Sequence, residues 1–163
     1  MVGHRAGNYL IFFPSYVYLN EVLATFSVRF PQFNTVYQAP AMDDAARTGF
    51  MEMFETPGSE TEVQETLVGF AIMGGVFGEG IDLKGNRLIG VVVVGVGLPQ
   101  LGIERDLIKH YFDGELHLDV TPEHDKNHVT GTGFEFAYQY PGINRVLQTA
   151  GRLIRSESDK GIL

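Results

Sequence analysis

Short apolar runs alternate with segments of helical spacing along most of the chain. Four apolar runs are predicted to be strands: residues 9–13, 35–38, 66–73 and 88–98. The segments between the first three runs carry apolar side chains every three to four residues and are predicted to be helices, the second capped by Asp43 or Asp44. This alternation favours a three-layer α/β domain, in which a central, mainly parallel sheet is flanked by helices and joined by right-handed crossovers.

The remaining residues predict two further helices with a long polar segment between them. Residues 104–112 fit a short helix, and residues 142–155 fit a longer one that begins just after Pro141. The polar segment, residues 113–133, has no sustained period and is longer than an ordinary connection, so we expect a functional or flexible insertion. Residues 160–163 resemble the start of another buried strand, and we therefore expect the chain to be a piece of a longer protein.

Composition narrows the class of protein. The 163 residues correspond to about one domain, and 44% hydrophobic with 20% charged residues is typical of a soluble globular chain. The net charge of −8 argues against a protein that coats nucleic acid by bulk electrostatics. The absence of cysteine excludes disulfides, thiolate zinc sites and iron–sulfur clusters within the chain. The longest apolar run is too short to span a bilayer, so we expect no membrane partner. The absence of cysteine is compatible with a cytoplasmic location, which is the location we expect.

Gln148, Arg152 and Arg155 form the first candidate site. At about 100° per residue, they fall within about 60° of one another on the predicted helix. Most apolar side chains of this helix are expected to pack against the sheet on its other side: Ile143, Val146, Leu147, Ala150, Leu153 and Ile154. Two guanidinium groups and an amide suit the phosphate charge of a transition state, and Gly151 beside them leaves room for a ligand. The same stripe also fits a solvated helix with ordinary surface arginines.

A glycine-rich segment after the third predicted strand forms the second candidate. It contains Gly74, Gly75, Gly78, Glu79, Gly80 and Asp82. Ligands of open α/β sheets bind beyond the carboxyl ends of the strands, where glycines let backbone N–H groups turn toward an anion. Asp82 can orient these amides or contact a ribose hydroxyl. The segment lacks the GxxxxGK[ST] pattern, and a glycine-rich turn alone more often reflects ordinary loop geometry than a phosphate-binding loop.

Ser15 is the third candidate. It follows Phe13 and Pro14 at the end of the first predicted strand. A hydroxyl at this position can cap the following helix, contact a nucleic-acid phosphate, or do both.

Titratable side chains crowd the polar segment. They are His117, Asp119, Glu123, His124, Asp125 and His128. His124 and His128 have the i, i+4 spacing of a helical zinc pair, but Pro122 and the charge density favour a solvated loop. We therefore assign no metal site to this segment.

Three segments, taken in order, carry a family resemblance. They are FFPSYVYLNEV at residues 12–22, GGVFGEGIDLKGNRLIGVVVVGVGLP at residues 74–99 and YPGINRVLQTAGRLIRSESDKGIL at residues 140–163. These segments resemble helicase motifs IV, V and VI of the DinG/XPD-type superfamily 2 DNA helicases. The second contains the GEGID element, and the third contains the QxxGRxxR pattern. Together with RDLIKHYF at residues 105–112, the resemblance covers nearly the whole chain.

The resemblance implies that residues 1–163 form a second RecA-like motor domain, with the polar insertion near residues 113–133. Such a domain closes over ATP and Mg²⁺ that are bound mainly by a first RecA-like domain of the same polypeptide. The resemblance also implies that Arg155 and Arg152 reach the γ-phosphate as arginine fingers, supported by Gln148. Five residues are implied to couple the nucleotide site to the path of the DNA strand: Gly78, Glu79, Gly80, Asp82 and Gly151. Residues implied to contact single-stranded DNA are Ser15, Tyr16, Gly74 and Gly75.

The function implied is that of the second motor lobe of an ATP-dependent DNA helicase in DNA repair or recombination. The chain lacks the nucleotide-binding lysine and the metal-binding acidic box of such motors, so the isolated domain, expected to be a monomer, should hydrolyse ATP poorly or not at all. Its acidity predicts weak, salt-sensitive DNA binding on its own. An iron–sulfur cluster of the family would lie outside this chain. A non-motor nucleic-acid or protein-docking module and an RNA-directed helicase of the same superfamily stay open as alternatives.

Overall fold

The computed structural model describes residues 5–55, 65–80, 83, 87–114, 132–151, 153 and 161–163, with the backbone alone at residues 79 and 80. The chain divides into two compact units. The first contains residues 1–97 and 145–163, and the second contains residues 98–144. Within the described ranges, none of the helices has both the length and the apolar character needed to cross a membrane.

Four parallel strands form the sheet of the first unit. They are β1 (Asn8–Phe13), β2 (Asn34–Tyr37), β3 (Leu67–Ile72) and β4 (Gly90–Val93). Their order is β2-β3-β1-β4, with Asn8 opposite Leu67 and Tyr9 opposite Gly90. Nearly every residue of the two central strands, β1 and β3, is buried, as continuous apolar runs predict for a sheet covered on both faces.

Helices cover both faces of this sheet. α1 (Tyr16–Arg29) follows β1, α2 (Asp44–Glu55) follows β2, and the short α3 (Val76–Gly80) follows β3. Apolar residues of α1 pack on one face, and those of α2 and α3 pack on the other. The β1–β2 and β2–β3 connections run in opposite directions along the sheet, so right-handed crossovers place α1 and α2 on opposite faces. The predicted three-layer α/β class is confirmed.

The fourth strand is shorter than its apolar run. The run predicts a strand over residues 88–98, but β4 ends at Val93. Gly95 takes a φ of 73°, in the left-handed region that ends an extended strand, and Val96 and Leu98 are about half exposed. The prediction is wrong for the second half of the run, because apolar composition does not reveal where a glycine turns the backbone.

The last described residues lie beside β4. Ile162 forms a parallel bridge with Gly90, its N–H donating to the Ile89 carbonyl over 3.1 Å and its carbonyl accepting the Val91 N–H over 2.9 Å. The predicted additional strand therefore pairs with the sheet at this position. Ile162 is 45% exposed, however, so the expectation that this strand is buried is wrong for these residues.

The second unit contains α4 (Ile103–Phe112) and the first part of a helical segment that starts at Gly133; the segment continues into the first unit from Arg145. This segment passes through a π-helical turn (Glu135–Gln139) and continues as α5 (Tyr140–Ala150). The rings of Phe112 and Phe136 stack with their centroids 4.0 Å apart and join α4 to the π-helical turn. Residues 115–131 of the predicted polar insertion, including its histidines, lie outside the described residues.

The helix predicted for residues 142–155 is wrong at both ends. It starts before Pro141 and ends at Ala150. In an α-helix, the N–H of residue 141 would bond to the carbonyl of Ala137, and proline has no N–H. The turn preceding the proline is π-helical, and Arg105 Nη1 donates to the Ala137 carbonyl over 3.5 Å. Pro141 thus lies inside a helix that the sequence pattern predicts to begin after it.

The buried face of α5 is narrower than its apolar stripe. Val146 packs against the core and Thr149 is 1% exposed, whereas Ile143 and Leu147 are 40% and 62% exposed. The prediction that Ile143 and Leu147 pack against the sheet is therefore wrong. At 100° per residue, Val146 and Thr149 centre the inner face, Ile143 falls at its margin about 90° away, and Leu147 falls on the outer side about 130° away.

Candidate functional site

The four strands of the sheet end at a common edge. Because the strands are parallel, the residues that follow β1, β2, β3 and β4 all lie at this carboxyl edge, where ligands of open α/β sheets bind. These residues include Ser15 after β1, Gln38 after β2, Gly74 after β3 and Gly97 after β4.

Ser15 begins α1 as its N-cap. Its backbone is extended, with φ −155° and ψ 154°, and its Oγ atom accepts the Tyr18 N–H over 3.3 Å. The predicted capping role is confirmed. The side chain is exposed at the carboxyl edge, and its hydroxyl can still donate its own hydrogen to a second partner.

Gln38 links the ends of three strands. Its Nε2 atom donates to the Tyr16 hydroxyl over 3.0 Å, and its Oε1 atom accepts the Ile72 N–H over 2.9 Å. A Cβ atom on Gly75 would lie 3.2 Å from Gln38 Nε2, so the glycine lets the loop after β3 approach this amide closely. Gln38 is buried, and both ends of its amide are hydrogen-bonded. Sequence reasoning missed it, because residues 35–38 are predicted to be a strand that includes Gln38 as its last residue.

Arg145 joins the loops after β3 and β4. Its Nη1 atom donates to the Gly97 carbonyl over 3.2 Å. Its side chain also lies against Gly74, where a Cβ atom would be 3.3 Å from Arg145 Nε. Gly74 has a φ of 70°, so both its backbone conformation and its neighbour favour glycine. Arg145 was missed from the sequence, where it stands on α5 one turn before Gln148.

These contacts bring together the four residues that the resemblance assigns to DNA. Tyr16, which follows Ser15 in the chain, meets Gly75 through Gln38, and Gly74 next to Gly75 meets Arg145. We call the whole group the strand-end cluster: Ser15, Tyr16, Gln38, Gly74, Gly75, Gly97 and Arg145. It offers hydroxyls, backbone amides near glycines and one guanidinium, which are the groups that bind phosphate oxygens.

The residues implied to act on the nucleotide are described only in part. Gly78 lies in α3, where an added Cβ would be 3.8 Å from Thr149 Oγ1, and Glu79 and Gly80 follow it in the same helix. Gln148 is exposed on α5, and the Gly151 N–H donates to the Leu147 carbonyl over 2.9 Å.

Three further nucleotide residues of the prediction, Asp82, Arg152 and Arg155, lie outside the described residues. α5, which carries Gln148, ends at Ala150. Their roles, like that of Gln148, stay predictions.

The second unit has its own polar contacts. The Tyr138 hydroxyl donates to Asp106 over 3.2 Å, and desolvation together with the negative charge of Asp106 raises the pKa of Tyr138 above its usual value. Asp113 accepts the Gly133 N–H over 2.6 Å and pairs with Lys109 over 3.0 Å; these two donors hold the pKa of Asp113 below its usual value. In the part of the chain that the structure describes, no three His, Cys, Asp or Glu side chains group to hold a metal ion.

Comparison with known proteins decides the family. The helicase C-terminal domain family matches residues 1–163, which is the whole chain. The chain belongs to the helicase C-terminal domain family. This confirms the resemblance that its three motif segments indicate.

Two curated relatives agree with this family assignment. The ATP-dependent DNA helicase CHL1 of Candida glabrata is 28% identical over 173 residues, which cover 98% of this chain and 19% of that protein. The ATP-dependent DNA helicase CHL1 of Kluyveromyces lactis is 26% identical over 163 residues, which cover 92% of this chain and 18% of that protein. The helicase C-terminal domain thus spans about a fifth of the length of these relatives.

Proposed function

We propose that this helicase C-terminal domain is the second motor lobe of an ATP-dependent DNA helicase that acts in DNA repair or recombination. The observation that carries the proposal is the strand-end cluster. Four residues from two separate motif segments, Ser15 with Tyr16 and Gly74 with Gly75, come together at the carboxyl edge of a parallel sheet. The family match across the whole chain supports the same function.

The DNA-contacting part of the proposal rests on uncharged groups. The exposed Ser15 hydroxyl and the backbone of the loop after β3 bind the phosphates of a single strand, and such contacts position a strand without reading its bases. Gln38 holds the two loops at a fixed separation through its bonds to Tyr16 and Ile72.

The nucleotide part of the proposal concerns the end of α5 and the residues after it. A first RecA-like lobe of the same polypeptide binds most of the ATP and its Mg²⁺, which neutralises phosphate charge when bound. Arg152 and Arg155 supply guanidinium groups to the transferring phosphoryl group, and Gln148 supports them. Arginines in this role contribute about 10³ to 10⁵ in rate. Gly78, Glu79, Gly80, Asp82 and Gly151 couple this site to the strand-end cluster, and the isolated lobe does not hydrolyse ATP by itself.

Replacement of Arg155 in the full-length helicase tests this proposal. Arg155→Ala should abolish DNA-stimulated ATP hydrolysis while the affinity for a single-stranded oligonucleotide stays measurable. Arg47→Ala is the matched control, because Arg47 sits on α2 in an exposed ion pair with Asp44 and its loss should leave both readouts unchanged.

Two results would overturn parts of the proposal separately. Wild-type turnover by Arg155→Ala would remove the finger assignment. A full-length wild-type protein with no ATPase activity would remove the motor role and favour a docking module.

A further inference from the structure

We infer that Arg145 is the cationic phosphate contact of the strand-end cluster. The inference rests on the proposed function and adds to it a residue outside the four predicted DNA contacts. Those four, Ser15, Tyr16, Gly74 and Gly75, carry no formal charge, whereas every nucleotide of a single strand carries a negative phosphate. Arg145 brings a permanent positive charge to the same edge of the sheet.

The position of the Arg145 guanidinium is fixed from two sides. Nη1 donates to the Gly97 carbonyl over 3.2 Å, and Nε and Cδ lie 3.3 and 3.5 Å from where a Gly74 Cβ would be. Gly74 has no side chain, and its φ of 70° disfavours any other residue. A phosphate can therefore approach the guanidinium and the adjacent backbone without a side chain from Gly74 between them.

The charge of Arg145 lacks a carboxylate partner in the part of the chain that the structure describes. Its side chain is half-buried, and among the described residues the Gly97 carbonyl is its hydrogen-bond acceptor. A guanidinium has five N–H donors, so one carbonyl leaves most of its fork available. A partly desolvated cation without a counter-charge is costly, and a phosphate with two oxygens in the plane of the fork offsets that cost.

The geometry favours a phosphate of the strand over a phosphate of the nucleotide. Arg145 contacts Gly74, which is next to Gly75, and Gly75 meets Tyr16 through Gln38. The residues implied to reach ATP begin at Gln148 and continue away from this contact along the chain. We therefore assign Arg145 to the DNA contacts. Contact between Arg145 and a phosphate of ATP is the alternative, and the test distinguishes the two.

Salt dependence of DNA binding by the full-length helicase gives the test. For single strands, log Kobs falls with log salt by about 0.7 for each phosphate neutralised. With a fluorescent oligothymidine, Arg145→Gln should weaken binding about tenfold and make the slope shallower by about 0.7. Arg145→Lys keeps the positive charge but loses the paired N–H donors of the guanidinium. It should therefore keep the salt slope of the wild type and weaken binding by less than Arg145→Gln does. Arg145→Met is a second neutral variant that retains an apolar chain beside Gly74. It replaces Arg145→Gln in the test if the glutamine variant does not fold.

Arg29→Gln is the matched control for charge. Arg29 ends α1, at the opposite edge of the sheet, so its loss should leave both affinity and slope unchanged. Unchanged affinity and slope in a folded Arg145→Gln or Arg145→Met would overturn the inference. An increased KM for ATP with an unchanged DNA slope would also overturn it, by assigning Arg145 to the nucleotide. Absence of DNA binding by the wild-type helicase would instead overturn the proposed function itself.

Discussion

The side-chain amide of Gln38 donates to the Tyr16 hydroxyl over 3.0 Å and accepts the Ile72 N–H over 2.9 Å. One buried side chain thus fixes the first residue of α1 relative to the last residue of β3. Gln38→Met has a similar length and neither hydrogen bond, so it leaves the Ile72 N–H without this partner. We expect the free energy of unfolding to fall by about 1–3 kcal/mol, measured by urea denaturation.

The matched control for this change is Gln100→Met. Gln100 is exposed, and its replacement should change the free energy of unfolding by less than about 0.5 kcal/mol. Equal stability of the two variants would contradict the role given to Gln38.

Ser15 combines a capping role with the proposed phosphate contact, and two substitutions separate them. Ser15→Ala removes the acceptor for the Tyr18 N–H and should cost about 1 kcal/mol of stability. Ser15→Asp keeps an acceptor at the N-cap and should retain stability, but its negative charge should weaken binding of single-stranded DNA. Denaturation and oligonucleotide titration of both variants check this. DNA affinity in Ser15→Asp equal to that of the wild type would remove Ser15 from the DNA contacts.

Two glycines should respond in opposite ways to the same substitution. A Cβ on Gly69 in β3 would lie 2.6 Å from Phe54 Cζ and 2.8 Å from Leu10 Cδ1, so Gly69→Ala should destabilise the fold by about 1–3 kcal/mol. A Cβ on Gly49 in α2 would meet nothing within 4 Å, so Gly49→Ala should stabilise it by about 1 kcal/mol. Thermal melts compare the two variants. A destabilised Gly49→Ala together with a neutral Gly69→Ala would contradict the packing of α2 on the sheet.

The Asp113 carboxylate should give the second unit a pH dependence at acid pH. Its pKa is lowered by the Gly133 N–H first and by Lys109 second. A carboxyl with a lowered folded pKa contributes stability that is complete above its usual pKa of 3.8 and is lost as pH falls through the folded value. The Gly133 amide resonance should therefore titrate with a midpoint below 3.8 in an NMR experiment.

Variants of this pair provide the controls. Asp113→Asn should remove the acid titration of the Gly133 amide, and Lys109→Gln should move its midpoint upward without removing it, since Lys109 is the smaller cause. A Gly133 amide midpoint at or above 3.8 in the wild type would contradict the hydrogen-bonded carboxylate.

Local patterns in the sequence predict most of the elements. The apolar runs give β1 and β3, and the spacing of apolar residues gives α1 and α2. The caps are equally local, since Ser15 accepts the Tyr18 N–H and Asp43 accepts the Ala46 N–H over 2.8 Å, each three residues along the chain. Such features depend on neighbours in sequence, so the sequence alone is enough to find them.

The centre of the candidate site depends on distant neighbours and could not be found in this way. Gln38 bonds to Ile72, 34 residues away, and Arg145 bonds to Gly97, 48 residues away. Nothing in the immediate surroundings of either residue distinguishes it from a polar residue on a surface. The turn at Gly95 and the continuous helix through Pro141 were missed for a related reason, because glycine and proline permit several backbone paths and the packing around them selects one.

The bridge between Gly90 and Ile162 makes residues 98–144 an excursion from the sheet. The chain leaves the first unit after β4 and returns to it at Arg145, and Ile162 then pairs with β4. Both ends of residues 98–144 are therefore attached to the first unit. For a loop with anchored ends, the entropy of closure grows only with the logarithm of its length. Sequence can therefore be gained or lost between α4 and the π-helical turn while the strands keep their partners. The second unit can therefore change in length while the sheet of the first unit keeps its strand order.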